Sequence, residues 1–135
     1  MIPVTRVVLD TNIIISSALK PESKLSKIWK VVADKELQIY YNAEILAEYT
    51  RILARPKFGF CRELQNQFTY FINENGVIFN PITSTIKLPD EADRIFYDTA
   101  TQSEAILITG NIKHYPVSPY IKTPVDFLLA FENEI

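Results

Sequence analysis

Three acids stand where a folded chain could turn them toward one another. Asp10 directly follows the apolar run Val-Val-Leu. Glu48 lies in Ala-Glu-Ile-Leu-Ala-Glu-Tyr, and Asp93 in Asp-Glu-Ala-Asp-Arg-Ile-Phe. An amide, Asn111, closes Ile-Leu-Ile-Thr-Gly-Asn. Each has a plain structural use. Asp10 and Asn111 suit caps and turns. Asp93 suits a helix start, where Asp90 already covers the cap. Glu48 falls at the edge of the helical stripe Ile45, Leu46, Tyr49, Ile52 and Leu53, on the side of Arg51 and Arg55. A surface pair with Arg51 and a carboxylate at a site are equally compatible with that position. Taken together the acids suggest more. Converging carboxylates raise one another's pKa. A hard cation relieves this, and Mg²⁺ favours one or two carboxylates, water and substrate phosphate. Such a cation lowers the pKa of water and neutralises a phosphodiester, a physical route to metal-dependent phosphodiester cleavage.

Composition closes other routes. The 135 residues carry 14 Lys plus Arg against 16 Asp plus Glu, with 3 Gly, 1 Cys and 1 His. A Cys/His zinc site needs about four ligands, and Cys61 and His114 are two. A disulfide framework needs cysteine pairs. Phosphate-cradling loops need clustered glycines, whereas Gly59, Gly76 and Gly110 are scattered. A serine triad has His114 as its single candidate base. No stretch approaches the ~18 apolar residues of a membrane helix. Arg6 and Asp10 interrupt the N-terminal apolar run, so it reads as a strand rather than a signal peptide. The lone cysteine fits a reducing compartment, the cytoplasm. Cys61 is expected to be a small buried or half-buried hydrophobe.

These residues need positioning elements. Apolar runs predict strands at 4–9, 37–41, 77–79 and 105–109. Helical spacing predicts helices at 13–19 and 22–34, one capped by Asn42 and ended by Arg55-Pro56, and others over 62–75, from about 91 to 103, and 125–132. Leu25, Ile28, Trp29 and Val32 form the buried stripe of the second helix. Leu64, Phe68, Phe71 and Ile72 form that of the fourth, which Gly76 stops. Strands alternating with helices predict one three-layer α/β/α domain over 1–135, with a parallel sheet of four or five strands. Ligands of such sheets bind beyond the strands' carboxyl ends, near the point where strand order reverses.

The ordered set of Asp10-Thr11-Asn12, Glu48, Asp93 and Thr109-Gly110-Asn111 resembles the PIN-domain nucleases. The branch is the VapC-like toxins of bacterial and archaeal toxin-antitoxin pairs, and the likeness spans nearly the whole chain. It implies a ribonuclease using Mg²⁺ or Mn²⁺, with Asp10, Glu48 and Asp93 holding metal. Thr11, Asn12 and Thr109 would give polar support. The family's fourth acid is here Asn111, which can still offer an oxygen to a metal or orient a water. Asp98, whose first reading is a helical pair with Arg94, is a further candidate ligand. The resemblance also implies a small antitoxin partner and a homodimer.

RNA needs positive charge near the acids. Arg51 and Arg55 share Glu48's side. Lys24 and Lys27, with Lys20, are either phosphate contacts or a solvated helix face. His114 lies in the loop after Asn111. Tyr40, Tyr41, Tyr97 and Tyr115 could stack on bases, but the core reading is favoured for them. Two rivals remain. Asn111 would suit a PIN-fold RNA- or protein-binding module without turnover. An aspartyl-nucleophile phosphatase ranks last, since Asn12 stands where a haloacid-dehalogenase-like pattern needs a second Asp.

Overall fold

Three consecutive apolar residues early in the sequence have little choice but to be buried. Val7, Val8 and Leu9 have no exposed surface. They form the end of β1 (Thr5–Leu9), the middle strand of a five-stranded parallel sheet. A strand covered on both faces has no polar alternation to show, and hence reads as a continuous apolar run. The computed structural model describes residues 5–133. Val4, expected to begin the first strand, lies outside them.

After β1 come α1 (Thr11–Leu19), α2 (Lys24–Ala33) and β2 (Leu37–Tyr41). Then follow α3 (Ala43–Leu53), α4 (Arg62–Asn75) and β3 (Val77–Ile78). The second half supplies α5 (Arg94–Ser103), β4 (Ile106–Ile108), β5 (Ile121–Lys122) and α6 (Pro124–Asn133). The sheet order is β3-β2-β1-β4-β5, with every pairing parallel. The chain therefore builds outward from β1 on one side, then returns to lay β4 against its other side. Strand order reverses between β1 and β4, where their carboxyl ends open a crevice. With helices flanking the sheet, this is the expected three-layer α/β/α architecture.

Local chemistry explains the element ends. Asn42 caps α3 by accepting the Ile45 N–H at 3.0 Å, and its amide donates to Thr99 at 2.9 Å, joining α3 to α5. Ser23 caps α2. The α2 helix therefore starts two residues later than expected. Its Ile28 and Val32 are buried, and Trp29 rests on Phe68 of α4 with ring centroids 4.7 Å apart.

Gly76 does stop α4, but with an extended backbone, not a left-handed one. A Cβ there would lie 2.6 Å from the Ile72 carbonyl oxygen and from the Tyr41 ring, so only hydrogen fits. The fifth helix opens with a 3₁₀ turn, Glu91–Asp93, in which Asp90 accepts the Ala92 N–H at 2.9 Å. Two details differ from expectation. The β5 strand falls in what reads as a proline-marked loop, because two residues paired to β4 are too few to display a pattern. Cys61 is exposed, standing just ahead of α4 rather than on its buried stripe.

Residues 79–90 have no regular structure and run as a strap along α5. Gln102 exchanges two hydrogen bonds with the backbone of Ile82, at 2.9 and 2.6 Å. Asp98 accepts the Ser84 N–H at 2.9 Å, and Arg94 donates to the Ser84 carbonyl at 3.0 Å. Arg94, Asp98 and Gln102 recur every fourth residue and so share one helical face. That face fixes the strap, and the strap delivers the turn bearing Asp93.

Candidate active site

The β1–β4 register pairs Leu9 with Ile108, which sets Asp10 beside Thr109 just past the strand ends. The Asp10 N–H donates to the Ile108 carbonyl at 3.0 Å. Its carboxylate caps α1 by accepting the Asn12 N–H at 3.2 Å through Oδ1. Oδ2 accepts the Thr109 hydroxyl at 2.6 Å. That hydroxyl in turn accepts the Asn111 N–H at 3.0 Å. Capping and site placement are therefore not alternatives for Asp10, since one side chain does both. The partners hold the carboxylate in one orientation across the switch point.

Glu48 reaches the same edge from α3. Its Oε2 accepts the hydroxyl of Thr11, itself 6% exposed. Its Oε1 lies 3.9 Å from Arg51 Nη2, and the Arg51 side chain is largely in solvent. Such a long, exposed pair contributes little, so Thr11 is the partner that orients Glu48. The next residue, Tyr49, is fully buried, and its hydroxyl donates to the Leu9 carbonyl. Burial first, then the charges of Asp10 and Glu48, push the Tyr49 phenol well above its usual range. It stays a neutral donor that pins the end of β1.

Asp93 completes the set from the 3₁₀ turn before α5. Its Oδ2 lies 3.3 Å from Nδ1 of the half-exposed His114. Partial burial raises the Asp93 pKa; the His114 hydrogen bond opposes this, while Asp90 and Asp10 add to it.

Tyr115, next to His114, is 8% exposed and stacks on Tyr97 with ring centroids 6.4 Å apart. Burial and then the charges of Asp93, Asp10 and Glu48 raise its phenol well above the ordinary value. Asp10 thus lies at the end of β1, Glu48 approaches that end from α3, and Asp93 reaches the same edge through His114 in the loop after Asn111. Tyr49 and Tyr115 look like core aromatics in sequence. The adjacency of Tyr49 to Glu48 and of Tyr115 to the Thr109–His114 run were the signals available.

The other candidates divide. Asn12 and Asn111 are exposed at the same edge. The Asn111 carboxamide makes no hydrogen bond among the described residues. Asp98 is 2% exposed and committed to Ser84, with Oδ1 lacking a partner. The expected Asp98–Arg94 pair does not form. The Arg94 guanidinium instead forks onto Glu91, at 2.7 and 2.6 Å, because the 3₁₀ turn brings that carboxylate within bidentate reach. Lys24 and Lys27 line a cleft against Val125, Leu128 and Leu129 of α6. Among the described residues no hydrogen bond or ion pair links them with the acids. Arg55 is exposed just beyond α3.

Among the described residues no three His, Cys, Asp or Glu side chains form a ready-made metal cage. The donor set is nonetheless suited to a hard cation that keeps much of its water. It offers carboxylate oxygens only, partly buried, with Asp10 raising the pKa of Asp93.

The chain belongs to the PIN domain family, whose model matches residues 6–113. Members of this family are generally nucleases. The chain is 29% identical over 145 residues to the uncharacterized protein MJ1680 of Methanocaldococcus jannaschii, covering 96% of this chain and 94% of that one. Its fold is similar to that in the crystal structure of VapBC2 from Rickettsia felis bound to a DNA fragment from its promoter. The TM-score is 0.57 at 19% identity, covering 88% of this chain and 98% of that one.

Proposed function

We propose that the protein is a Mg²⁺- or Mn²⁺-dependent endoribonuclease and the toxin of a toxin-antitoxin pair. The observation that carries this is the fixing of three acids at the sheet's switch point, Asp10 by Thr109, Glu48 by Thr11 and Asp93 by His114. Asp10, Glu48 and Asp93 would hold the cation, with Asn111 offering a neutral oxygen. The cation supplies charge neutralisation at the phosphodiester and a lowered pKa for attacking water.

The chain's own residues do the rest. Thr109 and the Asn12 N–H fix Asp10, Thr11 fixes Glu48, and His114 steadies Asp93. Asn12 and Asn111 line the edge where water enters. In this reading Arg51, Arg55 and His114 contact backbone phosphates, whose contacts position RNA. Lys24 and Lys27 lie against α6 and serve a partner or solvent instead. A small antitoxin, a homodimer and a cytoplasmic setting complete the reading. It rests on membership of the PIN family and on the likeness of fold to VapBC2.

Purified protein incubated with single-stranded and structured RNA should cleave with Mg²⁺ or Mn²⁺ and stop with EDTA. Asp10→Asn and Asp93→Asn should each lose at least about 100-fold in rate, the scale of a lost electrostatic catalytic group. Cleavage indifferent to both substitutions refutes the metal assignment. Growth arrest on expression, relieved by a co-expressed neighbouring small protein, tests the toxin role. The exposed Asn111 carboxamide favours a second reading, a PIN-fold module that binds RNA or protein without turnover. Tight RNA binding with no cation binding by calorimetry would support that reading over the first.

A further inference from the structure

The crossover from β4 to β5 frames an open hollow of about 460 Å³ that the acids do not account for. Its walls are aliphatic: Ile112, Pro116, Val117 and Ile121. Val117 is fully exposed and Ile112 39% exposed, so both present apolar surface to whatever enters. Lys113 and Ser118 supply the polar groups. Lys113 has no ion pair among the described residues.

Two observations connect this cavity to the acids. Tyr115 lines it and stacks on Tyr97 of α5, the helix that follows Asp93. The 3₁₀ turn Ile112–His114 contributes Ile112 and Lys113 to the cavity while its His114 touches Asp93. The lining is also already folded. The Tyr115 N–H donates to Ile112, the Ile121 N–H to the Ser118 carbonyl and the Tyr120 N–H to the Ser118 hydroxyl, at 3.2, 3.2 and 3.1 Å. A pocket that needs no ordering retains more of its binding energy.

The size falls within the roughly 300–1,000 Å³ of small-ligand sites. Aliphatic walls suit the flat faces of a heteroaromatic ring, while an ammonium and a hydroxyl suit its polar edges or an adjoining phosphate.

We propose that this cavity takes the nucleobase of the nucleotide adjoining the scissile phosphate, with Lys113 on the neighbouring phosphate, and so sets the RNA sequence preference. This rests on the ribonuclease reading, but one arm of its test does not.

In that arm, the cleavage-disabled Asp93→Asn chain is titrated with the four ribonucleoside monophosphates and followed by backbone NMR. Shifts should concentrate at residues 112–121, differ between bases, and weaken at least tenfold in Val117→Asp and in Lys113→Ala. In the second arm, a random-sequence RNA pool is cleaved and the cut sites are sequenced. The preference at one base beside the cut should fall at least tenfold in Val117→Asp. The more conservative Val117→Ile should keep it.

Absence of cleavage by the wild-type chain, with nucleotide shifts at 112–121 intact, refutes the ribonuclease reading and leaves the pocket standing. Unchanged cut-site preference in Val117→Asp, or no nucleotide shifts at 112–121, overturns the pocket. So does retained preference with lost rescue by a co-expressed small partner, which assigns the face to protein.

Discussion

Removing Asp98 should weaken cation binding although this residue is not placed among the ligands. Its Oδ2 holds the Ser84 N–H at 2.9 Å, while its Oδ1 is buried without a partner. In Asp98→Ala the Ser84 N–H loses its acceptor at a cost of about 1–3 kcal/mol, and removing the orphaned oxygen returns part of that. The net is about 1–2 kcal/mol. Gln102 still anchors Ile82 and Arg94 still reaches the Ser84 carbonyl, so the strap loosens rather than departs. If the loss falls on the strap and the turn it delivers, the competent placement of Asp93 becomes less populated. Apparent cation affinity then drops by about 5- to 30-fold at most. If the same energy were lost globally, the melting temperature would fall by roughly 3–10 °C. Calorimetric Mn²⁺ titration beside thermal denaturation separates the two. Asp98→Asn, which keeps an oxygen for Ser84, should bind Mn²⁺ within a few-fold of wild type. Cation affinity within twofold of wild type in Asp98→Ala, together with a lowered melting temperature, would refute the strap's role in placing Asp93.

Three further outcomes are expected. Tyr49→Phe removes a buried hydroxyl that donates to the Leu9 carbonyl, and should cost about 1–2 kcal/mol in a denaturant titration. Gly76→Ala drives a Cβ against Ile72 and Tyr41 and should cost about 1–3 kcal/mol, read as a lower denaturation midpoint. Burial raises the Asp93 pKa, so protons compete with a cation further up the pH scale than at an ordinary Asp. Mn²⁺ affinity should climb with pH through that raised value and then level off, whereas Asp93→Asn should lack this step. Without cation the sign is opposite. A folded-state pKa above the unfolded one stabilises below the unfolded value, and that contribution fades as pH rises through the folded value.

Much of this was visible in sequence because burial leaves a pattern. β1 and β4 are covered on both faces, giving unbroken Val-Val-Leu and Ile-Leu-Ile runs. Asn42 marks α3 because its side chain answers a specific orphan N–H. The acids were legible as positions at strand and helix ends. What joins them was not. The strap's ties to α5 span 10 to 20 residues and involve backbone groups, which every residue type possesses. Tyr49 and Tyr115 carry their roles on hydroxyls attached to rings that belong in a core. β5 fails for length, and Cys61 because standing just ahead of a helix says nothing about which way the side chain faces.

The strand order has a consequence for synthesis. β1 leaves the ribosome first, yet the neighbour that orients Asp10 arrives nearly 100 residues later, when β4 brings Thr109 beside it. His114 and Tyr115 follow later still. A partly made chain holds Asp10 and Glu48 without the groups that set them against Asp93. On the proposed ribonuclease reading, the site is incomplete until the chain as far as Tyr115 has emerged. If that reading holds, a truncated product ending before β4 should not cleave RNA.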